Sequence, residues 1–377
     1  MSKKLLTLFL SLSIALLTSC GSAAGTTLST GGTEGTAPAA STSAPIQTSQ
    51  TTVQTTVSPF QTLDKSSSRR LFYFDYTDDY KFDDFLASGG AASTMELVEY
   101  AYKAFPGIDL NLSSLGYGCS SFCAQGSDGD IIFGRNFDMS SEYSGSYLIV
   151  HTAPENGYES YSTVNLSFLG VKNPQAPTDN TSPLLLAPYV PLDGINSAGV
   201  AICVLQLNFP EIHQNASATD MTSTTVIRHV LDNAGTLDEA IEIFENCDIH
   251  TDGYAYHYMV ADASGKSAVI EFVNNEMKVA YKTESIQSCA NTYVTEEGIA
   301  FYNDTNAQDS HNRANAIVSS VKNSEFNLTE ENAFLALKAG SNSYTRWSIV
   351  YNLTDKTISY SINRNFDKTY SFSFENE

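Results

Sequence analysis

Cys119-Ser120-Ser121-Phe122-Cys123-Ala124-Gln125-Gly126-Ser127-Asp128-Gly129-Asp130-Ile131-Ile132-Phe133-Gly134-Arg135-Asn136-Phe137-Asp138 reads as two strands joined by a tight turn. Cys119 to Ala124 is the first strand, Ser127-Asp128-Gly129 the turn, and Asp130-Ile131-Ile132-Phe133 the returning strand. Antiparallel return brings Arg135 and Asp138 toward Cys119, so a thiol, a guanidinium and a carboxylate gather at one end of a hairpin. These are a nucleophile's surroundings. A free thiol titrates near ~8.5 and ionises more readily beside a cation, which Arg135 would supply. Asp138 would then orient the base that takes the proton.

Upstream, Lys3-Lys4 and the apolar run from Leu5 to Leu17 read as a signal peptide over residues 1–20, too short to span a bilayer. Leu17-Thr18-Ser19-Cys20 resembles a bacterial lipobox, in which Cys20 is lipidated and becomes the mature N-terminus. The expectation is an exported bacterial lipoprotein, anchored at the extracytoplasmic face of the cell membrane. Residues 21–68 are almost entirely Ser, Thr, Gly, Ala, Pro and Gln, with Glu34, Asp64 and Lys65 the only charges. Such a segment buries too little apolar surface to offset chain ordering, and reads as a disordered tether.

The remainder, 69–377, is long enough for one large domain and shows no second linker. A formal charge of −22 argues against nucleic acid as a partner, because a phosphate backbone would be repelled. Besides Cys20 there are Cys119, Cys123, Cys203, Cys247 and Cys289, an odd number that leaves at least one thiol unpaired in an exported protein. The six histidines form no HExxH or Cys/His pattern, so no metal site is expected, and no dinucleotide fingerprint points to a cofactor.

Ser93-x-x-Glu96 is a capping box that opens a helix to about Phe105, with Met95, Val98, Tyr102 and Phe105 on its apolar face. Further helices are expected from about Thr224 to Asn233, from the box Thr236-x-x-Glu239 onward with Leu237, Ile241, Phe244 and Cys247 inward, and from Thr329 to about Ala339. Strand patterns cover 199–209, 256–263, 266–273, 277–281, 346–352, 357–362 and 369–374. Hairpins interrupted by a helical pair point to an α+β sandwich of two antiparallel sheets with helices on their outer faces.

Several motifs then occur in a telling order: Cys119, Gly134-Arg135-Asn136-Phe137-Asp138, Asp193-Gly194-Ile195-Asn196, Leu207-Asn208-Phe209-Pro210, His257 to Ser267, and Ala290-Asn291-Thr292. From about Leu71 to Phe374 the chain resembles the choloylglycine hydrolases, the family of bile salt hydrolases and penicillin V acylases, with acid ceramidase and N-acylethanolamine acid amidase as more distant relatives. The resemblance implies a four-layer αββα N-terminal nucleophile hydrolase. It also implies cleavage between Gly118 and Cys119, which would leave 69–118 as a pro-segment or α chain and 119–377 as the catalytic β chain. A freed α-amine titrates near ~7.7–8.0 and can serve as base for its own thiol.

The roles implied by the resemblance follow residue by residue. Cys119 attacks an amide carbonyl, Asp138 holds the α-amine, and Arg135 stabilises the thiolate. Asn208 donates to the tetrahedral oxyanion, and Asn291 positions the substrate and its oxyanion. Arg313 is a looser match to a late family arginine, and a solvated helix-face charge is its competing reading. The substrate class implied is a small linear N-acyl amide. Acyl transfer to an amine, or a non-catalytic surface binding protein on the same fold, are the alternatives. Bile salt hydrolases lose little more than an initiator Met, so the long segment before Cys119 favours the amidase and ceramidase branch.

Overall fold

Alternation along the central hairpin sorts its side chains into two cores. Cys119, Cys123, Phe133 and Phe137 enter one apolar core, while Phe122, Ala124 and Ile132 enter the other. The second core is completed by Ile317 and Val321 of the helix Gln308–Asn323 and by Ala333, Phe334 and Leu337 of the helix Glu330–Ala339. Close pairing of the hairpin depends on Gly134, where a Cβ would fall 2.2 Å from the Phe122 ring.

The computed structural model describes residues 49–52 (as backbone), 60–110, 117–140, 145–171, 177, 181–303 and 307–374, all within the unit Ile46–Glu377. Their strands form a seven-stranded sheet in the order Ser49–Thr52, Lys368–Ser373, Thr357–Ile362, Thr345–Asn352, Ile131–Asp138, Gly118–Gln125, Ile286–Ala290. A nine-stranded sheet runs Glu276–Tyr281, Ser267–Val273, Ala255–Ala261, Ala201–Leu207, Asp193–Asn196, Ser160–Asn165, Tyr147–Thr152, Leu71–Tyr76, Phe60–Asp64. Pairing within the two sheets is antiparallel except where Ser49–Thr52 meets Lys368–Ser373 and where Leu71–Tyr76 meets Tyr147–Thr152. The strand Gly118–Gln125 packs across the sheet interface on Ala201–Leu207 and Ala255–Ala261. Helices Thr225–Asn233 and Leu237–Glu245 cover the outer face of the larger sheet. The result is a four-layer αββα sandwich, the architecture expected from the sequence.

Three readings need correction. The strand Phe60–Asp64 and the backbone pairing of Ser49–Thr52 fall inside the stretch 21–68 read as a tether. Asp64 is buried there, bonded by Lys368 Nζ at 2.9 Å and by Tyr370 Oη, a contact between elements far apart in sequence that no local composition displays. Cys247 is buried, but it opens the strand Cys247–His250 because the helix ends at Glu245. In the helix Thr94–Ala104 the Ser93 cap is present, yet Leu97 and Ala101 face inward while Met95 and Tyr102 are exposed. The register rotates because Tyr100 is drawn into an aromatic cluster with Phe85 and Tyr189.

The signal peptide, Cys20 and the tether up to residue 48 lie outside the described residues. Among the described residues no helix is long and apolar enough to cross a membrane. The segment before Cys119 is joined to the rest chiefly by the strand Leu71–Tyr76, whose Leu71, Phe72 and Tyr73 are buried between Phe60–Asp64 and Tyr147–Thr152.

Candidate active site

Cys119 is the second residue of the strand Gly118–Gln125 and is fully buried. Its backbone is held from two directions. Its N–H donates to Asn291 Oδ1 at 2.7 Å, and its carbonyl accepts from Arg313 Nη1 at 2.6 Å. Asn291 follows the strand Ile286–Ala290, which pairs with the Cys119 strand so that Ala290 lies opposite Ser120. Asn291 is fixed in turn by donating Nδ2 to the Gln206 carbonyl at 2.7 Å and accepting from Arg313 Nη2 at 2.8 Å.

Arg313 is therefore no solvated helix-face charge but part of the cluster around Cys119. It is buried on the helix Gln308–Asn323 and also donates to Asp138 Oδ2 at 3.1 Å and, through Nε, to the exposed Asp309 at 2.8 Å. Asp138 accepts further bonds from Thr345 Oγ1 at 2.6 Å and Asn342 Nδ2 at 3.2 Å. Burial raises the Asp138 pKa, and Arg313 opposes that rise. The carboxyl group lies beside Gly118, where a Cβ would sit 3.6 Å from Asp138 Oδ2.

Arg135 Nη2 donates to Cys119 Sγ at 3.1 Å and to the Val204 carbonyl at 2.9 Å. Its Nη1 donates to the Leu192 carbonyl and to Asp193 Oδ2 at 2.5 Å. Trp347 Nε1 and Tyr351 Oη, each at 3.1 Å, complete the shell of Asp193. The sequence reading expected Arg135 to make Cys119 reactive at neutral pH, and in the continuous chain that is not the balance. Burial pushes the thiol up to about 11, with Arg135 opposing. The guanidinium is in place, but the thiol is completely buried and the cost of desolvating a thiolate outweighs it.

Among the described residues Cys119, Cys123, Cys203, Cys247 and Cys289 are all free and buried. Burial also raises Cys123 to about 11, and Cys203 and Cys247 to about 12. Cys119 alone among them is hydrogen-bonded to a guanidinium in the structure.

Asn208 is exposed just past the strand Ala201–Leu207, and its Oδ1 accepts from Gln206 Nε2 at 3.4 Å. Gln206 also accepts the Tyr117 N–H at 2.7 Å, so among the described residues it is Gln206 that connects Asn208 to the Cys119 network. Sequence reasoning assigned no role to Asp193 or Gln206. Asp193 carried a signal, since it opens the Asp-Gly-Ile-Asn motif, but its partner could be found only across the sheet interface.

Comparison with known proteins agrees with this architecture. The model of the family described as acyl-coenzyme A:6-aminopenicillanic acid acyl-transferase matches residues 124–377, beginning within the hairpin and downstream of Cys119. No curated protein matches the chain. The solved penicillin V acylase of Agrobacterium tumefaciens is similar at 16% identity and a TM-score of 0.50, over 68% of this chain and 86% of that one. A conjugated bile acid hydrolase variant from Clostridium perfringens aligns at 17% identity and a TM-score of 0.48, over 68% and 93%. A Caenorhabditis elegans N-acylethanolamine-hydrolyzing acid amidase ortholog aligns at 15% and 0.43, over 63% and 93%. At such identities the acylase likeness speaks for the fold, and it is the match over 124–377 that assigns the chain to a family: this protein belongs to the acyl-coenzyme A:6-aminopenicillanic acid acyl-transferase family, within the choloylglycine hydrolase and penicillin acylase group.

Proposed function

We propose that this protein is a cysteine N-terminal nucleophile amidase that hydrolyses the C–N bond of a linear N-acyl amide through a thioester on Cys119. The observation that carries the reading is the clamp on that one residue: N–H to Asn291, carbonyl to Arg313, and thiol to Arg135.

In the first event Cys119 Sγ attacks the Gly118 carbonyl carbon. The C–N bond breaks, the Gly118 acyl group passes to sulfur, and the departing nitrogen takes up the thiol proton as it becomes the α-amine. Water then cleaves the thioester, leaving a Gly118 carboxylate and a free thiol. The matured amine stays within reach of Asn291 Oδ1, beside the Asp138 carboxylate.

In turnover the amine takes the thiol proton and the thiolate attacks the substrate carbonyl. The substrate amine leaves with that proton, and water releases the acid. Exposure of the site on cleavage would remove much of the burial that holds the thiol high, so that Arg135 can favour the thiolate. Asn208 would donate its side-chain amide to the oxyanion once the loop after Leu207 meets substrate, and such donors contribute about 10²–10³ in rate.

In this account the segment that ends at Gly118, with the strand Phe60–Asp64 included, becomes an associated α chain and Cys119 opens the catalytic chain. Cys20 would carry the lipid anchor that places the enzyme outside the cytoplasm. Acyl transfer is the second reading, favoured by the family that matches 124–377. There an amine replaces water in the last step.

Trapping tests both. Acid quenching during turnover of an amide should leave the Cys119 peptide heavier by the acyl group, and neutral hydroxylamine should remove it. An unmodified Cys119 in active protein contradicts the thioester. Acyl product recovered on an added amine in preference to free acid selects transfer over hydrolysis.

A further inference from the structure

Tyr117, two positions before Cys119, has a buried ring packed against Phe137 with centroids 5.1 Å apart. It stacks on Tyr256 at 5.6 Å with planes 28° apart, and meets Phe168 at 6.1 Å. These separations are those of aromatic pairs, whose offset and tilted packing an aliphatic chain does not reproduce. The Tyr117 N–H donates to Gln206 Oε1 at 2.7 Å, and the Gln206 carbonyl accepts from Asn291. The ring slot is thus built into the network that clamps Cys119.

Self-cleavage and turnover share one attacking atom. In self-cleavage the acyl side of the scissile carbonyl is Gly118 followed by Tyr117. A substrate attacked by the same sulfur carries its acyl group on that side of its carbonyl. Once the Gly118–Cys119 bond is broken, the tail ends in a carboxylate on Gly118, whose Cβ position lies 3.6 Å from Asp138 Oδ2, and like charges on such close neighbours disfavour each other. Departure of the tail leaves a slot walled by Phe137, Phe168 and Tyr256.

We propose that the slot filled by Tyr117 is the acyl subsite, and that it selects acyl groups ending in an aromatic ring held away from the carbonyl as Tyr117-Gly118 holds its own. The proposal rests on the cysteine amidase reading. The atoms between ring and carbonyl are Cβ, Cα and the carbonyl carbon of Tyr117, then N and Cα of Gly118. A 6-phenylhexanoyl group has a spacer of that length. Phenylacetyl is too short to reach, and hexanoyl has the reach without the ring.

The test is protection of Cys119 in the cleaved protein from iodoacetamide by the N-methyl amides of 6-phenylhexanoic, hexanoic and phenylacetic acid. The 6-phenylhexanoyl amide should protect at a concentration at least tenfold lower than either of the others. Tyr256→Leu, with its Cys119 still alkylated in the absence of amide, should shrink that advantage severalfold. Equal protection by the three amides, or an advantage that survives Tyr256→Leu, overturns the acyl subsite while a reactive Cys119 leaves the amidase reading standing. A Cys119 that resists iodoacetamide in the cleaved protein overturns both.

Discussion

Arg135 and Asp193 meet at 2.5 Å with both side chains completely buried. The pair lies directly behind the nucleophile, since Nη2 of Arg135 is 3.1 Å from Cys119 Sγ. Asp193 shares the field of that cation, and burial of the thiol outweighs what Arg135 contributes, pushing its pKa up to about 11.

Removing the anion should unmask the cation. In the cleaved protein Asp193→Asn is expected to lower the Cys119 thiol pKa and speed its alkylation at pH 7, whereas Arg135→Leu should raise the pKa and slow it. Both variants should lose roughly 3–5 kcal/mol of stability, because each leaves one buried charge without its partner. Alkylation rate against pH reads the first effect and urea unfolding the second. Superimposable pH profiles would mean that Arg135 exerts no electrostatic influence on the thiol.

Arg313 makes a different prediction, because it ties together the Cys119 carbonyl, Asp138 and Asn291. Arg313→Ala should slow chain cleavage and reduce turnover on the order of 10²-fold through misplacement of the nucleophile. Arg313→Lys should recover only part, since an ammonium cannot span three acceptors as a guanidinium fork does. The fraction of cleaved chain on a denaturing gel and the kcat of the cleaved fraction separate the two effects.

How far the sequence carried this picture differs from residue to residue. The hairpin from Cys119 to Asp138 was legible because strand alternation and the Ser-Asp-Gly turn are local signals. The caps at Ser93 and Thr236 were legible for the same reason. Arg313 remained undecided, since the inward face of its helix is set by packing on the strand Ile286–Ala290 rather than by an apolar stripe of its own. The strand Phe60–Asp64 stayed hidden inside a polar stretch, because what holds it is pairing with Leu71–Tyr76 and the distant Lys368 and Tyr370.

Asn208 tests whether the exposed loop after Leu207 takes part in chemistry. Asn208→Ala should leave cleavage at Gly118-Cys119 normal and lower kcat by about 10²-fold with little change in KM, the signature of an interaction made only in the transition state. Unchanged kcat would reduce Asn208 to a neighbour of Gln206.

Asp64 would lie on the opposite side of the cleavage site from its partners Lys368 and Tyr370. Burial works to raise its pKa, but bonds from Lys368, Ser66 and Tyr370 outweigh burial and hold the carboxyl well below its usual range. The folded pKa is depressed, so the stabilisation is fully present above about pH 4 and is lost as pH falls through the folded value. The two cleaved chains should therefore co-elute at pH 7 and separate increasingly under acid. Asp64→Asn should weaken the association at pH 7 and flatten its acid dependence. Identical acid profiles for both proteins, read by size-exclusion chromatography, would remove Asp64 from the joint between the chains.

The account turns on Cys119 becoming an N-terminal residue. Intact-mass analysis with N-terminal sequencing of active protein should find a chain that begins at Cys119, and Cys119→Ala should remain one uncut chain. Full activity from protein in which every molecule retains the Gly118–Cys119 bond would contradict it.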